Sequence, residues 1–209
     1  MNGGKARSLL RLQAAGFRVP PFFIVSPAEV LDASELGSRC AAITKGSAEP
    51  RFAVRSSAEV EDGSAASYAG MFETCLFVRA ADVAARIEDV RASGGSERAK
   101  TYGSLRGENA ACVPSVIVQR MIDAEAAGVA FGRDPVDGSD RIVVTAASGV
   151  GERLVSGECN ADTYRVDRHG AIVERSLAHD AAVLSDERVC EIARTVREIG
   201  AAFEVFCYR

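Results

Sequence analysis

The stretch from Arg51 to Val78 restricts the fold most, because two short apolar runs flank a long polar segment with an arginine at its entrance. Phe52-Ala53-Val54 and Cys75-Leu76-Phe77-Val78 have the length and composition of strands. Between them, Ser64, Ala65, Ala66, Ser67, Ala69 and Gly70 are small enough to let backbone N–H groups approach an anion closely. Arg55 follows the first run, and a guanidinium at a strand end can grip phosphate oxygens with two parallel hydrogen bonds. The same residues also read as a β-hairpin with a long polar loop and one surface arginine.

Composition narrows the remaining choices. With 209 residues, 47% of them hydrophobic and 26% charged, the chain can bury a sizeable core as one domain or two closely packed lobes. A net charge of -4 without a basic stripe argues against nucleic acid as the main partner. No run approaches the roughly 20 apolar residues of a membrane span and no signal peptide opens the chain, so no membrane partner and a cytoplasmic location are expected. The six cysteines form no C-x-x-C pair, so they read as reduced, mostly buried thiols.

Along the chain, the spacing predicts a helix from Ala6 to Ala15 and a proline-led strand over Val19 to Val25. Ser26-Pro27-Ala28-Glu29 reads as a capping box opening a short helix to about Leu36. Helical spacing returns with Val83, Ile87 and Val90. After Pro114 the texture is β: Val116-Ile117-Val118, Gly128 to Phe131, and Ile142-Val143-Val144 read as one antiparallel sheet. Tyr164-Arg165-Val166 and Ala171-Ile172-Val173 flank a hairpin turn, and a last helix runs from Asp186 to about Phe203 with Ser185 as its cap. A boundary near residue 110 separates a mixed α/β lobe, 1–110, from a β-rich lobe, 111–209. His169 and His179 read as structural or exposed, since neither has a positioned acid-base partner in its motif.

Four ordered blocks carry a family resemblance. GGKARSLLRLQAAGFRVPPFFIVS, VRSSAEVEDGSAASYAGMFET, VPSVIVQRMIDAEAAGVAFGRDPVDG and ASGVGERLVSGECNADTYRVD resemble the nucleotide-binding domain of the phosphoenolpyruvate synthase and pyruvate phosphate dikinase family, including its rifamycin phosphotransferase-like members. The resemblance implies an α+β, ATP-grasp-like fold whose two lobes close on ATP. It implies that Lys5 and Arg55 hold and polarise the phosphates, acting by position and charge. It also places Ser67, Ala69, Gly70, Thr74, Gln119, Met121, Gly138 and Glu152 around the nucleotide, with Gln119 near the adenine. On the residues alone, Lys5 equally reads as a terminal charge, Gln119 as a solvent-facing strand residue and Glu152 as a surface carboxylate. Ala6 stands where the family usually has a second glycine.

The resemblance further implies Mg²⁺ and a phosphoryl transfer to a histidine on a separate domain, with an acceptor-binding domain beyond it. The strand that carries the family's acidic metal ligands follows the last helix and has no counterpart here. The expectation is therefore a C-terminally truncated domain whose metal ligands, phosphohistidine domain and acceptor domain come from another chain or a missing region. The alternatives are a non-catalytic nucleotide-binding module and an inactive truncated remnant. The GVGERLVSGECNAD stretch is closer to the synthase and rifamycin-phosphotransferase branches than to the dikinase branch.

Overall fold

The computed structural model describes residues 3–45, 47, 49–57, 74–93, 113–155, 157 and 159–203. By internal contacts the chain divides into two units, Met1–Ile122 and Asp123–Arg209. Each is an α+β assembly built on one four-stranded sheet with antiparallel pairings.

The first unit contains α1 (Gly4–Ala14), β1 (Phe22–Val25), α2 (Ala33–Ile43), β2 (Arg51–Ser57), β3 (Thr74–Arg79), α3 (Val83–Ser93) and β4 (Ser115–Arg120), with strand order β1-β4-β2-β3. Side chains alternate across a strand. Phe52 and Val54 of β2 therefore share a face with Val116 and Val118 of β4, Val25 of β1 and Val78 of β3. That face buries itself against Val83, Ile87 and Val90 of α3 and Leu36 and Cys40 of α2. Each fully buried aliphatic side chain there contributes roughly 1.5–3 kcal/mol.

Two expectations are corrected here. Ser26–Glu29 closes a single turn: the Ser26 N–H donates to Glu29 Oε2 at 2.9 Å and the Glu29 N–H to the Ser26 carbonyl at 3.0 Å. No helix propagates from it, and Arg91 Nη2 of α3 ties the turn down through the carbonyls of Ser26 and Glu29, at 2.9 and 2.6 Å. The helix starts at Ala33 instead, where Asp32 accepts from the Glu35 N–H at 2.8 Å. The second correction concerns β4, which lies between β1 and β2 and does not join the later strands in one sheet. Its Ser115–Val118 stretch is buried on both faces of the sheet.

Among the described residues β3 is one edge of the first sheet, β1 the other, and β3 carries a bulge. Between the Phe52↔Val78 and Val54↔Cys75 pairs, Ala53 of β2 faces both Leu76 and Phe77. Phe77 adopts a left-handed φ of 55° and is half exposed.

The second unit is a meander: β5 (Ala126–Phe131), β6 (Ile142–Ser148), β7 (Asp162–Val166) and β8 (Ile172–Ser176) pair in sequence order. One turn of helix, α4 (Glu152–Val155), precedes β7, and α5 (Asp186–Phe203) covers one face of the sheet. Val189 and Ala193 of α5 pack on Ile142, Val144, Tyr164 and Val166. Gly128 of β5 lies so close to β6 that an added Cβ would stand 2.3 Å from the Thr145 carbonyl oxygen, so only glycine fits. No helix among the described residues is long and apolar enough to cross a membrane.

Candidate functional site

The strand register of the first unit gathers several candidate residues on one face. Arg55 pairs with Thr74 of β3 on one side and Ile117 of β4 on the other. Ala53, two residues before Arg55, pairs with Gln119, and Ser57, two residues after, pairs with Ser115. Arg55, Ser57, Thr74, Ser115 and Gln119 therefore share the face opposite the α2–α3 core. Arg55 lies within a central strand rather than beyond its end, so both neighbouring ladders fix its backbone.

Helix α1 meets this face at its N-terminus. Its N-cap residue is Gly3, which offers no side chain to the first-turn amides. Ser57 supplies the missing acceptor: the Ala6 N–H donates to Ser57 Oγ at 2.9 Å, with both residues buried. Lys5, the half-buried residue just before Ala6, thus sits at the helix end attached to β2.

Gln119 is half-buried, and its Nε2 donates to the Pro20 carbonyl at 3.0 Å. Met121 follows β4 and is held by its N–H to the Arg51 carbonyl at 2.9 Å. Together these bonds fix the end of β4 between the approach to β1 and the start of β2.

Among the described residues, two buried polar atoms on this face have no hydrogen-bond partner, Arg55 Nε and Ser115 Oγ. A buried polar group left unpaired costs about 1–3 kcal/mol, so such groups mark places where a ligand can supply what the fold does not. A guanidinium with a donor to spare and a helix N-terminus beside it favour an anion. The face therefore suits an anion.

Other candidates fall elsewhere. Ser67, Ala69 and Gly70 lie outside the described residues. Gly138 and Glu152 belong to the second unit. Gly138 has φ 70° in the turn after β5, and its N–H donates to the Asp134 carbonyl at 2.9 Å. Glu152 opens α4 and is exposed. His169 and His179 are both exposed.

The second unit also contains two buried carboxylates that sequence reasoning did not single out. Asp134 accepts from Arg165 Nε at 2.7 Å and the Val136 N–H at 2.9 Å. The Val136 amide and then Arg165 hold its carboxyl below the ordinary range. Asp162 accepts from the N–H groups of Val183 at 2.7 Å and Ala178 at 2.9 Å and from the Tyr164 hydroxyl at 3.1 Å. Burial pushes the Asp162 carboxyl up, but the three donors together outweigh it and the net shift is downward. Both carboxylates hold chain segments in place: Asp134 a turn, Asp162 the passage from β8 to α5.

Comparison with known proteins gives a consistent picture. The sequence profile of the pyruvate phosphate dikinase AMP/ATP-binding domain matches residues 27–201. The prodigiosin synthesizing transferase PigC of Serratia marcescens is 34% identical over an alignment covering 85% of this chain and 23% of that protein. The phosphoenolpyruvate synthase of Aeropyrum pernix is 35% identical, covering 78% and 20%. The rifampicin phosphotransferase of Bacillus subtilis is 33% identical, covering 74% and 21%. The chain thus spans about a fifth of the length of these relatives.

Proposed function

Because the chain belongs to the pyruvate phosphate dikinase AMP/ATP-binding domain family, we propose that it binds ATP with the phosphates on the Arg55 face of the first unit. The observation that carries this reading is the buried, unpartnered Nε of Arg55 on a face shared with Thr74, Gln119 and the Lys5 end of α1. Arg55 supplies the planar fork for phosphate oxygens, Lys5 a compact second charge. Gln119, anchored at Pro20, stands at the far end of the same face and serves the base. Met121 completes that end. Ser67, Ala69 and Gly70 belong to this phosphate site, with Thr74 at its rim. Gly138 and Glu152, in the second unit, are the remaining residues assigned to the nucleotide.

The bound nucleotide serves phosphoryl transfer to a histidine on a separate domain, from which an acceptor takes it. Acceptor choice belongs to domains beyond the stretch shared with the relatives, whose names include both a phosphoenolpyruvate synthase and a rifampicin phosphotransferase. Mg²⁺ enters as the ion that accompanies ATP. Among the described residues no group of three His, Cys, Asp or Glu side chains is placed to hold a metal.

Calorimetric titration with ATP tests the reading. The wild-type chain should bind, and Arg55→Ala should weaken binding by about 100-fold, the loss of about 2.7 kcal/mol that a desolvated, charge-assisted contact supplies. Equal affinity in the two proteins would remove Arg55 from the site and with it the reading.

A further inference from the structure

We infer that Ser57 is a positioning residue for the phosphate site: it caps α1 from a neighbouring strand and so fixes Lys5 relative to Arg55. This deepens the nucleotide reading above and rests on it.

A helix leaves its first-turn N–H groups without internal partners, and an N-cap side chain ordinarily accepts from the second or third helical residue. In α1 the N-cap is Gly3, which has no side chain, and no side-chain cap bond is formed. The third helical residue is Ala6, and its N–H donates to Ser57 Oγ, 51 residues away in sequence. Ser57 therefore does for α1 what Asp32 does for α2, where the cap residue's own side chain accepts from the third helical residue. A local cap would fix only the geometry of its own helix. A cap on β2 also fixes where the helix end stands on the sheet.

Ser57 lies two residues from Arg55 on the same strand face, and Lys5 directly precedes Ala6. One hydrogen bond thus links the strand carrying the guanidinium to the helix end carrying the ammonium. Burial keeps water from competing for it: Ser57 is 1% exposed and Ala6 is fully buried. Gly3 and Gly4 are buried as well, so the whole helix end sits against the protein.

The test uses the 209-residue chain with two readouts. In the nucleotide-free protein, Ser57→Ala should abolish hydrogen-exchange protection at the Ala6 amide and leave β2 and β4 protected. In ATP titrations the same variant should weaken binding about fivefold, the factor that corresponds to a lost cap. In a Lys5→Ala background, Ser57→Ala should cost less than about twofold more, because Ser57 acts through Lys5. Ser57→Thr, which keeps the hydroxyl, should bind within about twofold of wild type. Independent, additive losses from Ser57→Ala and Lys5→Ala would overturn the proposal, as would unchanged protection at Ala6. A wild-type chain with no affinity for ATP would overturn the nucleotide reading and the purpose assigned to Lys5, whereas the exchange result would still decide whether Ser57 caps α1.

Discussion

The two units differ in how some of their buried polar groups are satisfied. In the first, Arg55 Nε, Arg91 Nε and Ser115 Oγ are buried without partners among the described residues. In the second, the buried carboxylates of Asp134 and Asp162 accept two and three hydrogen bonds respectively. A saturated carboxylate stabilises the fold and has little left to offer a ligand, whereas an unfilled donor costs stability and keeps binding capacity. Stability in this chain should thus depend heavily on the second unit's carboxylates, and nucleotide affinity on the first unit's unfilled donors.

That contrast can be broken by substitution, and the largest effect is expected at Asp162. Asp162→Ala strands two backbone N–H groups and leaves the Tyr164 hydroxyl only the Leu184 carbonyl at 3.5 Å, and should lower stability by about 3 kcal/mol. Chemical denaturation should show an earlier transition, and exchange should be fastest over 177–185. Arg55→Ala is the counterpart: beside its loss of ATP affinity, it should change stability by less than about 1 kcal/mol, since the Nε it removes had no partner.

Acid should separate the units next. Asp134, Asp162 and Asp167 all have carboxyls held below their ordinary range, and hydrogen bonds from the Ser139 side chain and backbone, aided by Arg141, bring Asp137 down to about 2. All four lie in the second unit. A carboxyl depressed on folding contributes stability that is fully present above its unfolded pKa of roughly 3.9 and is lost as pH falls through the folded value. In the first unit, among the described residues, Glu29 alone is a carboxylate so lowered. Amide protection in β5–β8 should therefore fall before that in β1–β4 as pH drops from about 4 towards about 2, and loss in the reverse order would contradict the assignment.

The smallest expected effect is at Ser115. Removing a hydroxyl with no partner should leave the protein as stable as before, or more stable by up to about 1 kcal/mol. A clear loss of stability in Ser115→Ala, measured by thermal unfolding, would mean that the oxygen is satisfied after all.

Local features of this fold were legible because local residues cause them. Val189, Ile192 and Val196 set one face of α5, and Gly170, with φ 91°, sets the turn between β7 and β8. Reading Ser26–Glu29 as a helix start missed a non-local contact, since Arg91 of α3 ties the turn down through the carbonyls of Ser26 and Glu29. The partners of β4 were illegible because a strand buried on both faces shows no alternation to say which sheet it joins. At the candidate site, Arg55 and Gln119 were found through motifs, and period-2 alternation would have added Ser57 had β2 been extended to it. The bond from Ala6 to Ser57 had no local sequence signal, and the donors that fill Asp162 come from 178 and 183, beyond the reach of any local pattern.

The bulge at Phe77 has a consequence for self-association. A sheet edge with a straight row of free N–H and C=O groups can recruit the edge of a second molecule, and proteins that must stay apart blunt such edges. At Phe77 the left-handed backbone bends β3 out of line, so another strand could follow it for only a few residues before losing register. The bend at this one residue should therefore limit how far the edge can serve as a template for strand addition.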